Sequence, residues 1–168
     1  YYAQVRGLGT LKLNSTKEYI EKYTEEFYLV DLYYRRTLEA YHELITKENP
    51  IEQTLSDAKR QLDLEYAKIT NVLNLEWLTC VEEKGAWFTE TGLKRQEDFF
   101  KNESDTSVKQ VVIVCDALRY EVAKELMQEL AKEKHIATLD AYQAMLPTET
   151  KYCKPALLPH HSLEYRNK

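Results

Sequence analysis

The chain has 168 residues, 43% of them hydrophobic, so it can form one packed domain or part of a domain with an extension. Its net charge of −5 argues against a broad nucleic-acid-binding surface and against binding to an anionic membrane. No signal peptide opens the sequence, and no segment reaches the about 18 apolar residues that a membrane-spanning helix needs.

The cysteines and the chain ends indicate where the protein works and how much of it is present. Cys80, Cys115 and Cys153 are far apart and form no CxxC pair, which favours a reducing, cytoplasmic compartment. The sequence begins with Tyr1 rather than Met, and its last residues, 165–168, carry no helix stop. We therefore expect both ends to be internal to a longer protein.

The first hundred residues predict two long helices. Ser15 and Glu18 have the spacing of a capping box at the start of the first helix. Apolar residues then recur three and four positions apart, which is typical of one buried helix face. The members of this first stripe are Ile20, Tyr23, Phe27, Val30, Tyr34, Leu38, Tyr41 and Ile45.

A break at residues 46–50 separates the two helices. Asn49 suits the N-cap of the second helix, Pro50 its first position, and Glu52 completes another capping box. Two long helices with a short connection predict an antiparallel hairpin. Gly85 ends the second helical zone, and a shorter helix is predicted over Thr91–Asn102. The second stripe consists of Ile51, Leu55, Ala58, Leu62, Tyr66, Ile69, Leu73 and Trp77.

Beyond residue 105 the pattern changes from helical to α/β. Val111–Cys115 is a continuous β-branched run, as in a strand that is buried on both faces. A helix face follows at Leu118, Val122 and Leu126, and Ile136–Tyr142 can form a second strand. Strand, helix and strand predict a βαβ unit with a parallel pair, the first part of a larger sheet.

Asp116 directly follows the first predicted strand, at the edge where parallel sheets carry their functional residues. Two interpretations are open. The carboxylate caps a helix that starts at Ala117, or its oxygens bind a divalent cation.

Thr150 lies in the loop after the second predicted strand, on the same edge of the sheet as Asp116. Its hydroxyl can be a nucleophile that a bound cation activates for attack on phosphorus. Alternatively, Thr148 or Thr150 is an ordinary N-cap. Spacing alone does not separate these possibilities.

Three motifs in this half of the chain resemble those of PglZ proteins. They are Asp116–Glu121 (DALRYE), Met145–Lys151 (MLPTETK) and Ala156–His160 (ALLPH), in that order. PglZ proteins are a branch of the alkaline phosphatase superfamily that is found in bacterial BREX phage-defence systems. The resemblance is best from Trp87 to Tyr165. It implies a domain boundary, with residues 1–105 as a preceding helical region and residues 106–168 as the N-terminal part of a truncated alkaline-phosphatase-like domain.

The resemblance also implies roles for two residues. Asp116 corresponds to the first metal-ligand aspartate of the superfamily, and Thr150 to its Ser/Thr nucleophile, which also contacts metal. Such enzymes use two divalent ions, commonly zinc or manganese, to hydrolyse phosphate mono- or diesters. The remaining ligands follow later in the family's sequences, so we expect this segment alone to be inactive. Pro155 departs from the small residue of the family pattern, and we expect it to shorten the helix after Thr150.

Two hypotheses of function follow. The parent protein is a cytoplasmic, metal-dependent phosphatase or phosphodiesterase of a BREX system, and this chain carries part of its site. Alternatively, the helical hairpin is an interaction module that docks other BREX subunits without catalysis. Adjacent His160 and His161 would point in different directions, which argues against joint metal ligation.

Overall fold

The computed structural model describes residues 12–45, 51–84, 91–105 and 107–164. The chain divides into two compact units. The first comprises Tyr1–Thr91 with Tyr120–Glu125, and the second Gly92–Arg119 with Leu126–Lys168. Within these ranges the architecture is mostly helical with one small parallel sheet. None of the helices in the described ranges combines the length and hydropathy that crossing a membrane requires.

The first unit begins with helix α1, Thr16–Lys22, capped as predicted by Ser15. The Ser15 hydroxyl accepts a hydrogen bond from the Glu18 amide at 3.2 Å. The Glu18 carboxylate reaches back, as expected, but it accepts from the amide of Asn14 at 2.8 Å. The cap therefore gives a partner to one amide of the first turn, that of Glu18, and to the amide of Asn14 just before the helix.

Two long helices follow and form the hairpin that the sequence predicts. They are α2, Tyr28–Ile45, and α3, Glu52–Lys84. The Tyr34 hydroxyl donates to Asp63 at 3.0 Å, whereas Tyr41, later in α2, pairs with the earlier Ser56 at 3.3 Å. Pairing in opposite order along the two helices makes them antiparallel. The predicted helix start at Asn49 and Pro50 and the stop at Gly85 lie outside the described residues.

The first predicted stripe is not one unbroken α-helical face. A π-helical turn, Tyr23–Phe27, separates α1 from α2 and changes the register between them. The stripe predicted that Ile20 is buried, but the buried residue here is Tyr19, which is only 5% exposed. The Tyr19 ring packs edge-on against Trp77. Further along, Val30 and Ile69 form the centre of the hairpin core.

The first unit also contains Tyr120–Glu125, which is the start of helix α5, Tyr120–Lys132. Charged side chains hold this segment in the unit. Glu121 is fully buried, and the Arg35 Nε lies 3.7 Å from its Oε1. Arg35 and Arg36 both donate to the carboxylate of Glu125. A buried carboxylate is stable only with such partners, so these arginines fix the segment against α2.

The second unit contains a parallel pair of short strands, β1, Lys94–Arg95, and β2, Tyr142–Gln143. The β2 strand overlaps the predicted strand Ile136–Tyr142 only at Tyr142, and the prediction is wrong for the residues before it, which form no strand. The helix predicted over Thr91–Asn102 is wrong in its first part, where β1 and a 3₁₀ turn, Gln96–Asp98, precede helix α4, Phe99–Glu103. Tertiary contacts override the local pattern here.

Those contacts converge on Tyr142. The Tyr142 hydroxyl donates to Glu103, whose carboxylate also pairs with Lys94 at 3.0 Å. Phe99 packs edge-on against the Tyr142 ring, with 5.7 Å between the ring centroids.

The predicted βαβ pairing is also corrected. Val111–Cys115 forms no strand among the described residues, and Val111 and Ile113 are 78% and 80% exposed. A strand exists only with a hydrogen-bonded neighbour, and the neighbour that β2 acquires is β1 instead. An α/β segment remains, but its parallel pair is built from different residues than those predicted.

Candidate functional site

Asp116, Thr150 and Lys154 meet on the surface of the second unit. The Thr150 hydroxyl donates to Oδ1 of Asp116 at 3.4 Å. The Lys154 ammonium donates to Oδ2 of the same carboxylate at 3.2 Å. The structure thus brings together the two residues selected from the sequence, although Val111–Cys115 forms no strand, and adds a third that the sequence did not indicate.

Asp116 lies in a turn ahead of α5 and does not cap that helix. The helix begins at Tyr120, and Arg119 occupies the N-cap position. Between them, Ala117 has a φ of 55°, a left-handed conformation that an alanine adopts only at some cost. The strained turn separates the carboxylate from the helix, so the cap interpretation of Asp116 is wrong.

Thr150 is the first residue of helix α6, Thr150–Ala156, and Glu149 is its N-cap. Neither Thr148 nor Thr150 therefore caps the helix. The helix ends at Ala156, directly after Pro155, as expected from a residue that cannot donate to the helix interior.

Gln96 connects the two ends of the segment that carries Thr150. Its Oε1 accepts from the amide of Met145 at 3.0 Å, and its Nε2 donates to the carbonyl of Cys153 at 3.3 Å. One amide side chain thereby fixes the start of the loop and the helix after it. This role of Gln96 could not be predicted from the sequence, because its partners lie about fifty residues further along the chain.

The charge state of Asp116 suits a metal ligand. The Lys154 ammonium, through its hydrogen bond and its charge, holds the pKa of Asp116 below its ordinary value, and the Thr150 hydroxyl adds to this effect. The carboxylate is therefore ionised at neutral pH. Its side chain is 60% exposed and that of Lys154 47%, so solvent reaches the whole cluster.

The donor set fits a hard or borderline cation in kind, because carboxylate and hydroxyl oxygens are the ligands that such ions prefer. It is too small to complete a coordination shell. Across the described parts of the chain, no three His, Cys, Asp or Glu side chains cluster closely enough to hold a metal ion. The Nδ1 of His160 lies 2.8 Å from the carbonyl oxygen of Leu158.

Comparison with known proteins gives a match over the part of the chain that carries this site. A family model described as the BREX system PglZ alkaline phosphatase-like domain matches residues 96–168. This part of the chain is thus similar to the PglZ domain. The matched region contains Asp116, Thr150, Lys154 and Gln96.

Two curated relatives extend the comparison. The alkaline phosphatase-like protein PglZ of Bacillus cereus (strain H3081.97) is 29% identical over 150 residues, which cover 85% of this chain and 17% of that protein. The alkaline phosphatase-like protein BrxZ of Escherichia coli O9:H4 (strain HS) is 40% identical over 82 residues, 45% of this chain and 10% of that protein. The chain thus spans a small part of the length of these relatives. No solved structure shows significant similarity to it.

The match to the Bacillus cereus protein is informative about the helices. Because the family model begins at residue 96, a match to 85% of the chain must include part of the helical region before it. Part of the sequence before residue 96 is therefore similar to a segment of this longer relative.

Proposed function

We propose that this chain is the nucleophile-bearing part of a metal-dependent phosphoric-ester hydrolase in a BREX phage-defence system. The observation that carries the proposal is the 3.4 Å contact between the Thr150 hydroxyl and the Asp116 carboxylate. The Thr150 hydroxyl can act as a nucleophile because solvent and substrate can reach it. The ionised carboxylate of Asp116, also exposed, can bind a metal ion next to that hydroxyl. The match of residues 96–168 to the PglZ alkaline phosphatase-like domain supports the assignment.

In this proposal Thr150 attacks the phosphorus of a phosphate ester. Its Oγ forms a bond to phosphorus while the bond from phosphorus to the ester oxygen breaks, and the hydroxyl proton passes to solvent or to the leaving alcohol. Water then hydrolyses the phosphothreonine and regenerates Thr150. Asp116 and Thr150 would contribute oxygen ligands to the divalent ion, zinc or manganese. When bound, that ion stabilises the entering and leaving oxygens.

Asp116 and Thr150 cannot hold the ion without further ligands, which we assign to other parts of the full-length protein. This chain by itself is then inactive. The test is hydrolysis of a generic phosphodiester and a phosphomonoester by the full-length protein with Zn²⁺ or Mn²⁺. Asp116→Ala and Thr150→Ala are compared with the control variant Asp105→Asn. Among the contacts described, the Asp105 carboxylate accepts hydrogen bonds only from the nearby Ser107.

We expect metal-dependent turnover that both site variants reduce by at least about a thousandfold, as loss of a nucleophile usually does. The control should retain wild-type rates. An inactive full-length protein, or site variants as active as wild type, would leave Asp116 and Thr150 as structural residues.

A second candidate function is an interaction module that docks other BREX subunits through the helical hairpin. Leu64, Leu75 and Leu78 favour it, because they lie along α3 and are 50%, 58% and 44% exposed. The test is to change these leucines to Gln and to measure co-purification with BREX subunits. If co-purification is lost while hydrolysis is unchanged, the hairpin is the docking surface. The two functions are compatible within one protein.

A further inference from the structure

Lys154 stands one helical turn after Thr150 on α6, so the two side chains project from the same face of that helix. Both reach the same carboxylate, Lys154 at Oδ2 and Thr150 at Oδ1 of Asp116. An ammonium group therefore lies within a few ångströms of the proposed nucleophile. Neither the catalytic proposal nor the motifs quoted above use it.

The ion pair that holds Lys154 is an easily exchanged one. Both side chains are about half exposed to solvent, and such pairs contribute little to stability. A divalent cation at Asp116 would repel the Lys154 ammonium, and the carboxylate would then be free to hold the cation. Lysine carries its charge on a flexible stem, so Lys154 can turn to another acceptor nearby.

We propose that Lys154 binds the phosphoryl group of the substrate at Thr150 and contacts Asp116 when neither a cation nor the substrate is bound. This inference rests on the proposed function. Phosphate oxygens are strong acceptors for an ammonium donor, and the group that Thr150 attacks must come within bonding distance of its Oγ. Lys154 is the cation that the same helix face places beside that position.

The proposal also selects a substrate class. A phosphomonoester is a dianion near neutral pH, whereas a phosphodiester carries a single negative charge. Since the attraction to an ammonium grows with the charge of the phosphoryl group, Lys154 favours monoesters. The contact further implies that orthophosphate, the product of monoester hydrolysis, binds at the same place.

The experiment compares Lys154→Gln and Lys154→Arg in the full-length protein with Mn²⁺. The matched control is Lys151→Gln, because Lys151 is adjacent to Thr150 but pairs with Glu149 at 3.0 Å and lies over the Tyr152 ring. Orthophosphate affinity is measured by calorimetry, independently of turnover. The values of kcat/KM are measured for p-nitrophenyl phosphate and for bis(p-nitrophenyl) phosphate.

We expect Lys154→Gln to weaken orthophosphate binding at least about tenfold, which is typical of losing one charged hydrogen bond. It should also lower the ratio of monoester to diester kcat/KM. Lys154→Arg should retain most of both properties, and Lys151→Gln should resemble wild type.

Unchanged orthophosphate affinity in Lys154→Gln would overturn the inference, as would equal losses on both esters. The two proposals fail separately. If wild type hydrolyses neither ester but Lys154→Gln still weakens phosphate binding, hydrolysis is wrong and the anion contact stands. If wild type hydrolyses both and Lys154→Gln binds phosphate normally, only the role of Lys154 is wrong.

Discussion

The Tyr66 hydroxyl donates a hydrogen bond to Oδ1 of Asp31 at 2.7 Å, from one helix of the hairpin to the other. Tyr23, in the π-helical turn, donates to Oδ2 of the same carboxylate at 2.9 Å. Asp31 is only 9% exposed, so both of its oxygens need such donors. The tyrosines of the hairpin thus do more than fill an apolar seam, because their hydroxyls fix the register of the helices.

Tyr66→Phe should weaken the hairpin. The change leaves a buried carboxylate oxygen without this donor, and a hydrogen bond to a charged group contributes about 1.5–3 kcal/mol. Hydrogen exchange of the full-length protein, measured by mass spectrometry, should show a local opening free energy reduced by about that amount in peptides from α2 and α3. Tyr41→Phe, which removes a bond to the neutral Ser56 at 3.3 Å, should have the smaller effect. Equal protection in wild type and Tyr66→Phe would contradict the prediction.

The pKa of Asp63 should lie below its ordinary value of 3.8, chiefly because Lys59 donates to it at 2.6 Å, with Tyr34 also contributing. A carboxyl group whose pKa is lower in the folded state stabilises that state fully above the unfolded pKa. Its contribution is lost as the pH falls through the folded pKa, here below 3.8. Lys59→Met should move the pKa of Asp63 upward, which ¹³C NMR titration of the aspartate carboxyls would detect. A wild-type pKa at or above 3.8 would contradict this assignment.

Arg35→Met should release the segment Tyr120–Glu125 from α2. It removes the guanidinium beside the fully buried Glu121, and breaking a buried ion pair typically costs about 3 kcal/mol or more. Hydrogen exchange should accelerate in peptides that cover Tyr120–Glu125. Arg36→Met is the control, because the Arg36 side chain is 54% exposed and reaches only Glu125 among the described ion pairs. If both variants exchange at the same rate, the burial of Glu121 does not depend on Arg35.

Lys154→Gln should tighten the binding of Mn²⁺ to the full-length protein. The ammonium that occupies Oδ2 of Asp116 must be displaced before a cation binds there, and glutamine presents no charge to displace. Equilibrium dialysis should show a few-fold higher affinity in Lys154→Gln and a large loss in Asp116→Asn. An affinity that falls in Lys154→Gln would show that Lys154 supports the metal site instead of competing for it.

The features that the sequence predicted correctly depend on residues close together in the chain. The Ser15 cap and the hairpin follow from local spacing and from apolar periodicity, which act within a few turns of a helix. The π-helical turn at Tyr23–Phe27 was not predicted, because apolar periodicity does not show where a helix changes its hydrogen-bonding pattern.

The sheet could not be predicted from local pattern. Strand β1, Lys94–Arg95, has no apolar alternation and acquires its partner, Tyr142–Gln143, from far along the chain. Asp116 and Thr150 were selected from the sequence because each belongs to a recognisable motif. The contacts of Lys154 and Gln96 were not predicted, because they arise only when the loops fold together.

The most direct test of the central claim is to trap the covalent intermediate on Thr150. The full-length protein would be quenched in acid during turnover of a phosphomonoester with Mn²⁺ and mapped by mass spectrometry, beside Thr150→Ala and the neighbouring control Thr148→Ala. We predict a phosphoryl group on Thr150 in wild type and in Thr148→Ala, and neither phosphorylation nor turnover in Thr150→Ala. A phosphoryl group on another residue, or turnover that continues in Thr150→Ala, would contradict the proposed nucleophile.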